Sequence, residues 1–216
     1  FLAACSTTTQ ITVDTMHLTV PKVRTQAAAI VLTFAIWLSA PAVWAGILDT
    51  SEDYWAVLAG YGQSFPGWGL TEERVHSFDL VPRYSHLTID DIGSGWFAGQ
   101  HDTFIELPLH VVDGPGFDTS AMVGVNLLAA YTFTAHPVWQ PYIFGGGGIL
   151  YSFADIPGMG SDWNGNYQFA GGLRRMLDDP IHALIFEVRY HHISNAGTED
   201  PNVPLNSIKL MIGYTF

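Results

Sequence analysis

The run Leu184-Ile185-Phe186-Glu187-Val188-Arg189-Tyr190-His191-His192-Ile193-Ser194-Asn195-Ala196-Gly197 decides how the chain folds. At the two-residue period of a β-strand, Leu184, Phe186, Val188 and Tyr190 share one face, with Glu187 and Arg189 opposite. His192 and Ser194 continue the apolar face. A base and a candidate nucleophile thus project from the greasy side of a strand, just before a polar loop. Whether that face meets a protein core or a lipid bilayer sets the whole reading.

The same alternation recurs along the chain. Ala121, Val123, Val125, Leu127, Ala129, Tyr131 and Phe133 form one apolar row, with Asn126 and Thr132 across from it. Phe78, Leu80, Pro82 and Tyr84 form another, opposite Ser77, Asp79 and Arg83. In the last segment Ile208, Leu210, Ile212, Tyr214 and Phe216 oppose Ser207, Lys209 and Thr215. Turn chemistry separates these runs, and no helical period appears after Gly46. The pattern predicts eight strands near residues 53–64, 74–88, 99–112, 120–134, 139–152, 163–177, 182–195 and 206–216.

A soluble sandwich or barrel and a transmembrane barrel both produce such rows. Four features favour the membrane. The strands are long, and about 9–11 tilted residues cross a bilayer. The polar faces carry Arg83, Glu106, Glu187, Arg189 and Lys209, which can pair inside a narrow lumen. The chain ends on a strand whose last residue is Phe216, like the aromatic terminus of bacterial outer-membrane barrels. The fourth feature is an export signal. Lys22 and Arg24 precede an apolar run from Ala27 to Leu38 and the small-residue stretch Ser39-Ala40-Pro41-Ala42-Val43-Trp44-Ala45. This is the order of a secretory signal read as residues 16–45, starting at Met16 and cleaved after Ala45. Residues 1–15 read as upstream sequence, and 46–216 as the mature domain.

The expected fold is therefore all-β, an eight-stranded antiparallel transmembrane β-barrel. The links 65–73, 113–119, 153–162 and 196–205 fall on one side. The short turns Ala135-His136-Pro137-Val138 and Asp178-Asp179-Pro180-Ile181 fall on the other, as for external loops and periplasmic turns. Eight strands leave a lumen that side chains fill, which argues against a channel. Trp55, Trp68, Trp96, Trp139 and Trp163 lie near strand ends, as an interfacial girdle would. His192 and Ser194 then sit at the outer end of the seventh predicted strand, facing lipid.

The 216 residues suffice for one domain with a core. The formal charge is −12, with eight Lys plus Arg against twenty Asp plus Glu. Clustered cations for phosphate contacts are missing, so nucleic acid is excluded as a partner. The single cysteine, Cys5, rules out an internal disulfide. Gly145 to Gly148 lacks the Lys-Ser or Lys-Thr of a phosphate loop and reads as a place of close strand packing. The pairs Asp90-Asp91, Asp178-Asp179 and Glu199-Asp200 read as solvated turns. His76, His86, His101, His110 and His136 lack metal-ligand spacing, so no metal or cofactor is expected.

A serine hydroxyl needs a neighbouring base to act as a nucleophile. Alternate residues on one strand face lie about 6.5–7 Å apart, a span that His192 and Ser194 can bridge. Asn206 opens the antiparallel neighbour with the right parity to orient His192. Asn195, or amides in the turn at Ala196 and Gly197, are candidate oxyanion donors.

The segment Phe186 to Gly197, followed by Pro201-Asn202 and the terminal Gly213-Tyr214-Thr215-Phe216, resembles the C-terminal signature of the PagL family. These are lipid A 3-O-deacylases of the acyloxyacyl hydrolase group, with an eight-stranded outer-membrane barrel. Weaker echoes are Pro141-Tyr142-Ile143-Phe144-Gly145-Gly146-Gly147 and Phe169-Ala170-Gly171-Gly172-Leu173; the first half matches only in strand pattern. The resemblance implies Ser194 as nucleophile, His192 as general base and Asn195 as oxyanion stabiliser, with Gly197 beside it. The best-known family form carries Glu as the triad acid, where this chain has Asn206. Either Asn206 orients the base, or Glu199 or Asp200 swings in, or activity is reduced. The expected substrate is lipid A of lipopolysaccharide and the location the outer membrane; the assembly stays open, with a homodimer as one option. Two rival readings are a non-catalytic barrel with a structural or binding role and a lipid acyltransferase.

Overall fold

A computed structural model describes residues 53–178 and 181–216. The expected signal segment, the residues before it and the mature start at Gly46 lie outside that range, as do Asp179 and Pro180 of one turn. Nine strand segments follow one another: β1 (Tyr54–Ser64), β2 (His76–Ile92), β3 (Gly99–Glu106), β4 (Leu109–Gly114), β5 (Phe117–Phe133), β6 (Trp139–Ser152), β7 (Trp163–Met176), β8 (Ala183–Ser194) and β9 (Leu205–Thr215). Every pairing is antiparallel, and β1 pairs with both β2 and β9, so the sheet closes on itself. Closure removes the edges, the condition for β-structure in lipid.

Nine segments fill eight positions in the ring. The strand expected over 99–112 is broken at Leu107-Pro108, and both pieces lie between β2 and β5. The register is the same on either side, with Arg83 opposite Glu106 and Leu80 opposite Leu109. Pro108 and its neighbour Pro82 both lack an N–H, so the ladder has a gap without a shift. The Leu107 N–H still donates to Pro82 O at 3.0 Å, and Gly124 N–H to Pro108 O at 3.2 Å. Two more boundaries differ from expectation. The second strand runs on to Ile92, and the loop expected over 113–119 is a tight hairpin around Pro115-Gly116. Gly116 takes φ +84°, which only glycine adopts without strain.

The polarity of the barrel is inverted relative to a soluble protein. Phe78, Leu127, Ile143, Phe169, Val188, Leu210 and Ile212 are all more than half exposed on the outside. Arg83, Glu106, Glu187 and Arg189 are at most 3% exposed, inside. There Arg83 donates from Nε and Nη2 to Glu106 Oε1 at 2.9 and 2.7 Å. Arg189 donates to Glu106 at 3.0 Å and from Nε to Glu187 at 2.7 Å. Arg83 Nη2 also lies 2.7 Å from Glu187, so two cations alternate with two anions. Lys209 pairs elsewhere, with Asp79 at 2.7 Å, and the His110 Nδ1–H donates to the other Asp79 oxygen at 2.8 Å.

Apolar layers cap this polar middle. Ala56, Leu58, Phe104, Phe144 and Ile185 fill one end, and Val112, Met122, Leu150, Ile193 and Leu205 the other. The connections 65–75, 153–162 and 195–204 gather at the second end, which the loop asymmetry of outer-membrane barrels assigns to the outside. Trp55, Trp68, Trp96, Trp139 and Trp163 lie at strand ends or in connections, with Trp96 in a short 3-10 turn at Gly95–Phe97.

Candidate active site

β8 alternates strictly: Glu187, Arg189 and His191 point into the barrel, while Tyr190, His192 and Ser194 stand half-buried on the outer face. His191 meets Asn166 inside, with its Nε2 3.3 Å from Asn166 Oδ1. His192, one residue on, is therefore delivered to the opposite surface by the pleat alone. β9 brings Asn206 directly across from it.

The three side chains form a relay. His192 Nε2 lies 3.2 Å from Ser194 Oγ, and His192 Nδ1 lies 2.8 Å from Asn206 Oδ1. The Tyr190 hydroxyl donates to the same Asn206 oxygen at 2.6 Å. Tyr167, opposite His192 on β7, stacks on the imidazole with ring centroids 4.4 Å apart and planes 19° apart. The arrangement can pass a proton from Ser194 to His192 while Asn206 and the stacked Tyr167 hold the ring in place.

Glu199 and Asp200 belong to the outer loop, and His192 Nδ1 takes Asn206 as its partner instead. Asn195 and Gly197 have other work. The Asn195 side-chain amide donates to the carbonyls of Glu199 at 2.8 Å and Pro201 at 3.3 Å, and its Oδ1 accepts from the Gly197 N–H at 2.9 Å. The Asn195 N–H goes to Asn202 Oδ1 at 3.1 Å. Both residues expected to donate to an oxyanion thus spend their protons bracing the turn. Between them Ala196 takes φ +56°, and its N–H has no partner among the described residues.

Sequence reasoning missed four neighbours. Tyr190 lies on the outward row already recognised, and Tyr167 follows once the β7–β8 register is known. Trp68 and Thr71 come from the loop 65–75, which folds over Asn206 from 135 residues away in sequence. No local signal could place them.

A family model described as lipid A 3-O-deacylase (PagL) matches residues 83–215, which include Ser194, His192 and Asn206. Among solved structures, the outer membrane enzyme PagL is 20% identical over 74% of this chain and 97% of that one, with a TM-score of 0.47. Neisserial surface protein A is 17% identical over 76% and 96%, with a TM-score of 0.51. The outer membrane protein OprG from Pseudomonas aeruginosa is 16% identical over 76% and 95%, with a TM-score of 0.44. Of these, the likeness to Neisserial surface protein A bears on the fold, and at 17% identity on the fold alone. Among curated protein sequences none matches the chain. The family match covers more than half of the chain, and with the barrel it assigns the protein to the bacterial outer membrane. The chain belongs to the lipid A 3-O-deacylase (PagL) family and is an outer-membrane lipid A deacylase.

Proposed function

We propose that the protein removes the 3-O-linked hydroxyacyl chain of lipid A through Ser194, His192 and Asn206. One observation carries the reading: the relay from Asn206 through His192 to Ser194 lies on the outer barrel face, at the loop end. Ester carbonyls of an outer-leaflet lipid reach that height from the side, with no passage through the lumen. Ser194 Oγ attacks the carbonyl as His192 Nε2 takes its proton. His192 then returns the proton to the departing sugar hydroxyl, leaving an acyl-serine. A water, deprotonated by His192, cleaves that ester and releases the fatty acid.

The developing oxyanion needs a donor fixed before the reaction. We assign that role to the Ala196 N–H, with Asn195 and Gly197 holding the turn that presents it. Asn206 is neutral, so it orients the base but stabilises the imidazolium less than a carboxylate would. The stacked Tyr167 holds the plane of the ring.

Mass spectrometry of lipid A tests the proposal, comparing cells that express the wild-type protein with cells that express Ser194→Ala at equal membrane abundance. The expected result is loss of one hydroxyacyl mass with the wild type only. A gain of acyl mass would identify an acyltransferase. Unchanged lipid A with the wild-type barrel correctly folded, in a host whose lipid A keeps its 3-O chain, would overturn it and favour a non-catalytic barrel.

A further inference from the structure

An asparagine can orient a histidine in two ways, and only one of them is useful here. If Oδ1 faces the ring, the imidazole must present Nδ1–H, and Nε2 keeps the lone pair that deprotonates serine. If the amide is turned over, Nδ2 faces the ring, Nδ1 becomes the acceptor, and Nε2 carries the hydrogen. The base is then protonated on the wrong nitrogen. A carboxylate has no such ambiguity, because both of its oxygens accept. Asn at this position therefore needs a device that fixes which end of the amide faces His192.

The loop 65–75 contains one. Asn206 Nδ2 donates to the Trp68 backbone carbonyl at 3.0 Å and to Thr71 Oγ1 at 2.8 Å. The Trp68 carbonyl can only accept, so it admits the NH₂ end of the amide and rejects the oxygen. Thr71 Oγ1 also accepts the Asn206 backbone N–H at 2.9 Å, which ties the loop to the first residues of β9. The loop is braced in turn. Gly67 N–H donates to Thr71 O at 2.9 Å, Phe65 N–H to Asn206 O at 3.1 Å, and Thr71 N–H to Trp68 O at 3.2 Å. Gly69, at φ +61°, sits where an added Cβ would stand 3.2 Å from Asn206 Nδ2. Backbone and side chain together enclose one end of a single amide.

We propose that Thr71, with the Trp68 carbonyl, is a positioning element for the reaction: it selects the Nδ1–H tautomer of His192 by fixing the amide of Asn206. Thr71 is buried, its Oγ1 bonds to Asn206 and not to His192 or Ser194, and it acts through Asn206. The inference rests on the proposed roles of Ser194, His192 and Asn206. It gives loop 65–75 a part in the chemistry, by which a neutral residue can serve where the best-known family form carries Glu.

The test reads the tautomer and the rate separately, on barrels folded in detergent. The ¹⁵N shifts of the His192 ring nitrogens report which one is protonated, independent of any turnover. The wild type is expected to hold the Nδ1–H form. Thr71→Val keeps the shape and removes the acceptor, and it should populate the Nε2–H form visibly. Because the Trp68 carbonyl remains, the loss in kcat should be partial, about tenfold, with KM changed by less than about twofold. Thr71→Ser restores an acceptor and should recover both readouts. A wild-type His192 in the Nε2–H form, or a Thr71→Val spectrum identical to wild type, would overturn the inference even if lipid A is hydrolysed. The expected tautomer shifts in a barrel that hydrolyses nothing would leave the inference standing and sink the deacylation mechanism instead.

Discussion

At the scale of single residues, the proposed mechanism sets the amide of Asn206 where an acid would orient the base. Asn206→Leu keeps most of the volume but leaves His192 Nδ1 and the Tyr190 hydroxyl without their shared acceptor. The expected result is a fall in kcat on the order of a hundredfold, with KM little changed, measured on detergent-solubilised lipid A. Residual turnover remains because the serine and the oxyanion donor are untouched. His192 and Ser194 were legible in the sequence because strand parity places them side by side. Asn206 followed from parity on the next strand. The tasks of Asn195 and Gly197 were not legible, since only the folded turn shows which carbonyls lie near enough to claim their protons. Thr71 was hidden for a related reason: loop closure, unlike a strand period, leaves no repeat to read.

At the scale of elements, the strands carry their instructions in alternation, and eight ring positions were readable from it. The break at Leu107-Pro108 was not, because the side-chain rows continue through it while only the backbone ladder is interrupted. Pro108 was the available signal, but Pro82 on the neighbouring strand is what matches the gap. The inward rows also foretold a paired lumen. β2, β3 and β8 are joined there by Arg83, Glu106, Glu187 and Arg189, none of which reaches solvent. Removing Glu106 leaves two buried cations sharing Glu187 alone, and losing one partner of a buried ion pair costs roughly 3–5 kcal/mol. Glu106→Ala should therefore lower the urea midpoint of the folded barrel strongly, since both arginines lose a carboxylate. Glu72→Gln, on the exposed outer loop, should change stability by less than about 0.5 kcal/mol. Equal effects would mean that the lumen charges are solvated in the folded state.

At the scale of the whole molecule, the inside-out distribution of polarity is what makes lipid the right solvent. Leu127 projects from the middle of β5 and is 62% exposed, beside the fully buried Asn126. Leu127→Arg should cost about 2–4 kcal/mol of folding free energy in bilayers. Leu70→Arg, on a loop residue that is 76% exposed, should cost almost nothing. Unfolding titrations in the same vesicles compare the two directly. The alternation alone left this inversion open, since a soluble barrel gives the same rows; strand length and the charges on the polar faces were the signals that pointed to it.

The lateral site proposed at His192 and Ser194 also dictates how the enzyme would meet its substrate. Catalyst and substrate share a two-dimensional fluid, so encounter depends on the mole fraction of substrate within the membrane and not on its bulk concentration. Diluting mixed micelles with buffer should leave the initial rate per enzyme almost unchanged. Adding inert surfactant at fixed amounts of enzyme and substrate should depress it in proportion. The liberated fatty acid enters the same layer, so product inhibition should build up within the film long before it is measurable in the surrounding water.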